Sequence, residues 1–240
     1  MKIEALFSKS YTIFFKTIKL VSPLIAVFTI LQLIFSSANL DIEQILLDIS
    51  VVASFSMLVS VILGLIYNVI ITQYIFDYYN GVNKLQFNIN KICIYVSKII
   101  GLYIISVIPS LIILLLFNSV NYLGLLLPVY MFLFIYVALF FSQYFIIYYN
   151  TGLKESIINS FTLIRNNYLH VIVIMALNIC LVFFSLYFIT IIVSILSLVL
   201  GEQHLIIYFL SSLLSNVGFY FISIFNISFF KQFEAIHNIK

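Results

Sequence analysis

"SFTLIRNN" (residues 160–167) leads directly into "YLHVIVIMALNICLVFFSLYFITIIVSILSLVL" (168–200), a run without Asp, Glu, Lys or Arg. About 20 apolar residues are enough to cross the hydrocarbon core of a bilayer as a helix. A continuous apolar run also excludes the strands of a membrane barrel, which alternate in polarity over about ten residues. This run is long enough to tilt, or to pass beyond the membrane surface. The half-polar stretch before it has an echo near the start of the chain, "SYTIFFKT" (10–17), which also precedes an apolar run.

The rest of the composition agrees with that reading. The chain has 240 residues, 64% hydrophobic and 8% charged, with a mean hydropathy of +1.23. Soluble domains carry about 25% charged residues. A chain this poor in charge cannot cover itself against water, so lipid is its expected solvent. A net charge of +3 is too small to imply nucleic acid as a partner. The 25 Phe and 17 Tyr, without Trp, accompany much Ile, Asn and Lys, a bias typical of AT-rich coding, so aromatic richness alone carries no functional weight. Cys93 falls in a connecting segment and Cys180 inside an apolar run, a placement that argues against a disulfide between them.

Six apolar stretches qualify as spans, at about 20–36, 51–76, 99–117, 125–149, 169–199 and 205–230. The expected fold is an all-α membrane protein, one polytopic domain over 1–240 with six transmembrane helices. Pro23, Pro109 and Pro128 lie in spans, where neighbouring groups repair the lost hydrogen bond, and Pro109 is the expected kink. All 11 basic residues fall in alternate connections: Lys2, Lys9, Lys16 and Lys19; Lys84, Lys91 and Lys98; Lys154 and Arg165; Lys231 and Lys240. The opposite connections hold only Asp41, Glu43, Asp48 and Glu202 among charged residues. The positive-inside rule then puts both termini in the cytoplasm. A cleavable signal peptide ending at "SSA" (36–38) is the alternative, and it would leave five spans.

The basic connections are patterned. Ile3, Phe7, Tyr11, Phe14 and Ile18 share one helical face, with Lys2, Lys9, Lys16 and Lys19 opposite. Lys84, Lys91 and Lys98 recur opposite Leu85, Ile89, Ile92 and Val96, while Ile157, Phe161, Ile164 and Tyr168 oppose Lys154, Asn159, Thr162 and Arg165. Each reads as an amphipathic inner-leaflet helix, before spans one, three and five. The expected inner-leaflet contacts are Lys9, Lys16, Lys19, Lys84, Lys91, Lys98, Lys154 and Arg165, facing anionic headgroups. The plainer alternative makes these segments the wet ends of spanning helices, and "KLQFNIN" (84–90) also fits an extended loop. Three such units would form parallel repeats. Aligning Ser10 with Ser160 puts Thr12 over Thr162 and Val21 over Val171.

No ionisable residue sits at the centre of any span, where one would mark ion coupling or catalysis. His170 lies at the inner end of span five, His204 in the last outer connection and His237 in the C-terminal tail, and no HExxH, CxxC, Walker A or nucleophile-elbow pattern occurs. Neither enzymatic activity nor a cofactor or metal is expected. The spans do hold neutral polar residues, including Gln32, Gln73 and Gln143. Asn68, Asn178, Ser215 and Asn216 form a candidate interhelical polar cluster. Ser60-x-x-x-Gly64 and Ser211-x-x-x-Ser215 are pairs of small residues that let helix backbones approach. Such residues either line a pocket for a neutral solute or fasten helices together.

Four stretches, "SKSYTIFFKTIKLVSPLIAVF" (8–28), "QILLDISVVASFS" (44–56), "SIINSFTLIRNNYLHVI" (156–172) and "SSLLSNVGFYFISIF" (211–225), resemble in order the YciC-type family of uncharacterised inner-membrane proteins of enterobacteria. The resemblance implies a multi-pass protein of the bacterial cytoplasmic membrane, without implying a substrate or catalytic residues. Two functional expectations follow. One is a structural, accessory or envelope-maintenance protein whose partners are membrane lipids and a membrane protein. The other is a small permease or lipid-handling transporter.

Overall fold

The computed structural model describes residues 3–42, 49–117, 139–200 and 204–237, with side chains described at 3–34, 58–105, 108, 139–198 and 206–234. Among these residues it is all-helical: α1 (Ile3–Ile42), α2 (Ile49–Tyr79), α3 (Ile89–Phe117), α4 (Ser142–Tyr149), α5 (Leu153–Leu200) and α6 (His204–His237). Among the described residues, four segments are long and apolar enough to cross a membrane: Ile3–Ile34, Leu58–Tyr79, Leu153–Leu198 and Ile206–Glu234. These match the expected spans one, two, five and six. The third expected span, 99–117, lies on α3, whose side chains beyond 105 are described only at Ile108. The fourth, 125–149, lies outside the described residues as far as position 138.

Two compact units account for the fold, one of Met1–Leu85 with Ala176–Phe229 and one of Gln86–Met175 with Phe230–Lys240. In the first, α1 runs as one helix through Pro23. Hydroxyl side chains bond back to carbonyls one turn earlier, Ser10 to Leu6, Thr17 to Ile13 and Thr29 to Ile25, which hides their polarity inside the helix. α2 stops at a Schellman turn: Gly81, at φ 85°, donates to Tyr78 O, and Val82 donates to Asp77 O. A side chain with a Cβ strains at that φ, so glycine belongs there. Ser223 to Phe229 of α6 are buried without a break, the signature of a helix surrounded by others. Phe7 packs on Phe225, Phe14 on Tyr220 and Phe28 on Tyr67, with ring centroids 4.7, 5.8 and 5.0 Å apart.

The outer part of α5 in this unit is different. Phe184 and Leu198 are 70% and 87% exposed, beside the exposed Phe183, Tyr187 and Phe188. Apolar surface of that extent is stable only against lipid or another apolar partner.

In the second unit, Asn88 caps α3, its side-chain oxygen accepting from the Lys91 amide at 3.1 Å. Residues 82–88 before it are not helical, so Lys84 stands in a loop. The expected stripe of Lys84, Lys91 and Lys98 therefore does not lie on one helix, and the alternation of "KLQFNIN" is the better guide there. α4 ends at Asn150 in the left-handed conformation (φ 54°, ψ 33°). Phe141, just before α4, and Tyr144 and Phe145 of α4 surround Phe230 of α6, with centroids 6.4, 5.6 and 5.1 Å away.

Asn167 (φ −140°, ψ 24°) breaks α5 at the end of "SFTLIRNN", separating 153–166 from the long apolar run. Its side-chain amide donates to Leu163 O at 3.0 Å, a bond that a regular helix makes with its backbone. The segment before span five is thus a distinct piece, whereas α1 passes unbroken from its basic end into the first apolar run.

The faces that pack differ from the expected apolar faces. Over residues 3–21 of α1 the buried positions are Leu6, Ser10, Ile13, Thr17 and Val21; over 153–171 of α5 they are Ser156, Ser160, Leu163, Asn167 and Val171. Tyr11, Phe161 and Tyr168, assigned above to the apolar faces, are exposed. Small hydroxyl residues allow close helix approach, and the bulky aromatics point outward. These two sets stand 150 residues apart at every position. The coincidence extends to hydrogen bonds: Thr12 and Thr162 each donate to the carbonyl four residues earlier, and Thr17 and Asn167 likewise serve Ile13 and Leu163.

Candidate functional site

Within the first unit, α1, α2 and α6 meet along a seam of neutral polar side chains. At one level Asn216 of α6 donates through Nδ2 to Thr29 Oγ1 and to Gln32 Oε1, each at 3.0 Å. Tyr67 of α2 donates to the Asn216 carbonyl at 3.2 Å, its ring held between Phe28 and Phe219. At a second level Tyr220 donates to Thr17 Oγ1, and Thr17 in turn donates to Ile13 O. At a third, Ser228 Oγ lies 2.6 Å from the Tyr79 hydroxyl and 3.3 Å from Ser10 Oγ. Lys9 Nζ closes that end, 4.7 Å from the centroid of the Tyr79 ring. From Ser10 to Gln32 the seam extends about 33 Å along α1 at 1.5 Å per residue, comparable to the hydrocarbon thickness.

Asn178 of α5 makes a separate contact, Nδ2 donating to Asn226 Oδ1 at 2.6 Å. Its own Oδ1 is buried without a hydrogen-bond partner, as is the Tyr74 hydroxyl. Gly218 lets α5 approach here: a Cβ on it would stand 2.7 Å from Ser185 Oγ.

The four residues of the candidate cluster are therefore distributed. Asn216 belongs to the seam, and Asn178 to the contact with Asn226. Asn68 accepts from Thr72 on its own helix at 3.2 Å, and Ser215 is exposed. Asn178 and Asn216 are each only 8% exposed, between helices. Thr17, Thr29, Tyr67, Tyr79 and Tyr220 were not singled out by sequence. Tyrosine counts for little in a chain with 17 of them, but spacing offered a signal: Ser10, Thr17 and Val21 recur at intervals of seven and four.

The basic side chains divide as well. Lys9, Lys16, Lys19, Lys84, Lys91, Lys154 and Arg165 are exposed. Lys98 is half-buried and donates to Asn150 Oδ1 at 3.1 Å and Thr151 O at 3.0 Å, so it fastens the end of α4. A cation there also meets the carbonyl end of the helix, where it is electrostatically favoured. At the far end of α6, Lys231 bonds Glu234 at 2.7 Å and lies 3.6 Å from the Tyr148 ring centroid, while Tyr149 donates to Glu234.

Chemically, the seam holds hydroxyl and amide groups that are largely satisfied by one another. It can fix the rotation and depth of three helices. Among the described residues no three His, Cys, Asp or Glu side chains gather as metal ligands. Comparison of the chain with protein-family models, curated proteins and solved structures gives no match.

Proposed function

We propose that this chain is a multi-pass protein of the bacterial inner membrane with a structural, accessory or envelope-maintenance role and no catalytic activity. In this reading it has six spans, both termini are cytoplasmic, and the basic segments rest on the anionic inner leaflet. Membership of the YciC-type family is part of the same proposal. The observation that carries it is the pairing of buried and half-buried polar groups across helices, Asn216 with Thr29 and Gln32 above all. A solute pathway would leave such groups open to water, whereas packing uses them against each other.

The test is lipid and metabolite profiling of cells lacking the protein. An altered envelope lipid profile, with every solute still accumulated, is the expected outcome. Selective loss of one solute, reproduced by Asn178→Leu or Asn216→Leu in a correctly inserted protein, would overturn this reading in favour of a permease.

A further inference from the structure

The outward face of residues 158–166 borders an open cavity of about 450 Å³ lined by Ile158, Phe161, Thr162, Arg165 and Asn166. That volume falls within the range of small-molecule sites, about 300–1,000 Å³. These residues are spaced by three and four, so they share one helical face, opposite the packed Ser156, Ser160, Leu163 and Asn167. Their chemistry is divided along the helix. Ile158 and Phe161 offer apolar surface at 52% and 41% exposure. Arg165 is the only arginine in the chain, and its guanidinium suits bidentate contact with phosphate. Asn166 adds an amide donor. Thr162 already spends its hydroxyl proton on Ile158 O at 2.9 Å, which leaves its oxygen as an acceptor. Glu155, the preceding acidic residue, is ten positions before Arg165, about 15 Å along a helix, too far to neutralise it directly.

The kink at Asn167 gives this order a meaning. Were α5 straight, Ile158 and Phe161 would lie farther outside the membrane than Arg165, with their apolar surface in water. Because the helix breaks at Asn167, residues 153–166 are free to lie along the surface, where one side reaches acyl chains and the other headgroups.

We propose that this face is a specific seat for a phospholipid with an anionic, hydroxyl-bearing headgroup. Arg165 and Asn166 bind the phosphate, Thr162 Oγ1 accepts a headgroup hydroxyl, and an acyl chain covers Ile158 and Phe161. The proposal rests on the inner-leaflet reading above for its place in the cell, but its chemistry is measurable without it.

The purified full-length protein in detergent is offered equal amounts of phosphatidylglycerol and phosphatidylcholine, and the retained lipid is read by native mass spectrometry. The wild type is expected to retain phosphatidylglycerol preferentially. Arg165→Gln lowers the preference at least fivefold, Arg165→Lys lowers it partly, and Lys154→Gln, which removes a headgroup contact outside this seat, lowers it less than twofold. Asn166→Ala carries the same expectation as Arg165→Gln and stands in for it if that variant does not fold. Equal losses in the Lys154 and Arg165 variants would reduce the site to diffuse surface charge and overturn the proposal. So would an unchanged preference in Arg165→Gln, or displacement of the lipid by millimolar glycerol phosphate, which would mark a soluble ligand instead. Failure of the inner-leaflet reading appears elsewhere, in labelling of position 87 from the outside.

Discussion

Asn216 and Ser215 are neighbours in sequence with opposite surroundings. The Asn216 amide is enclosed between Thr29 and Gln32, and Ser215 is exposed. Asn216→Leu removes two donations and leaves two acceptors unserved, so at roughly 0.6 kcal/mol or more for each interhelical contact it should destabilise the protein by about 1–2 kcal/mol. Ser215→Ala should change stability by less than about 0.5 kcal/mol. Unfolding of both variants in the same detergent tests the contrast; equal effects would remove Asn216 from its structural role. Asparagines inside apolar runs were legible as polar groups in need of partners. Which partners they take was not, because pairing depends on the rotation and depth of helices that are far apart in sequence. Tyr67 and Tyr220 stayed hidden for another reason, since a hydroxyl's importance depends on what it reaches.

At the scale of the element, periodicity located the helices, but hydropathy does not say which side packs against protein. Sorting residues by hydropathy put Tyr11, Phe161 and Tyr168 on the apolar faces, and all three are exposed. In lipid an outward aromatic costs little, and the packed side is selected by small residues instead. That is why Ser10 with Thr17, and Ser160 with Asn167, mark the buried stripes. Asn167 was read as the last residue of a half-polar segment. Its backbone conformation makes it the break between two helices. Replacing it with leucine removes the side-chain bond to Leu163 O and favours continuous helix. Spin labels at positions 154 and 172 should then move apart, approaching the roughly 27 Å expected of a straight helix of that span. An unchanged distance would show that surrounding packing, and not Asn167, holds the bend.

For the molecule as a whole, the distribution of charge remains the clearest information in the sequence. It supports the proposed orientation, and the existing cysteines provide a test. Cys93 and Cys180 are both free and exposed. In the proposed topology, Cys93 reacts with a membrane-impermeant maleimide only from the cytoplasmic side, and Cys180 is shielded by lipid from either side. Phe87→Cys in a Cys93→Ser, Cys180→Ser background should label as Cys93 does, and labelling from the periplasm would overturn the orientation. Four of the expected spans correspond to described helices long and apolar enough to cross. Their apolar runs were easy to read because lipid tolerates a continuous hydrophobic surface that water would not.

The neutral character of the seam has one more consequence. A membrane potential does work only on charge or on dipoles that move through it, about 2.3 kcal/mol per elementary charge for each 100 mV. The bonds joining Thr29, Gln32, Tyr67 and Asn216, and Tyr220 to Thr17, are between groups without net charge. Energising or discharging the cell membrane therefore gives these bonds no electrical reason to break, and they persist in both conditions.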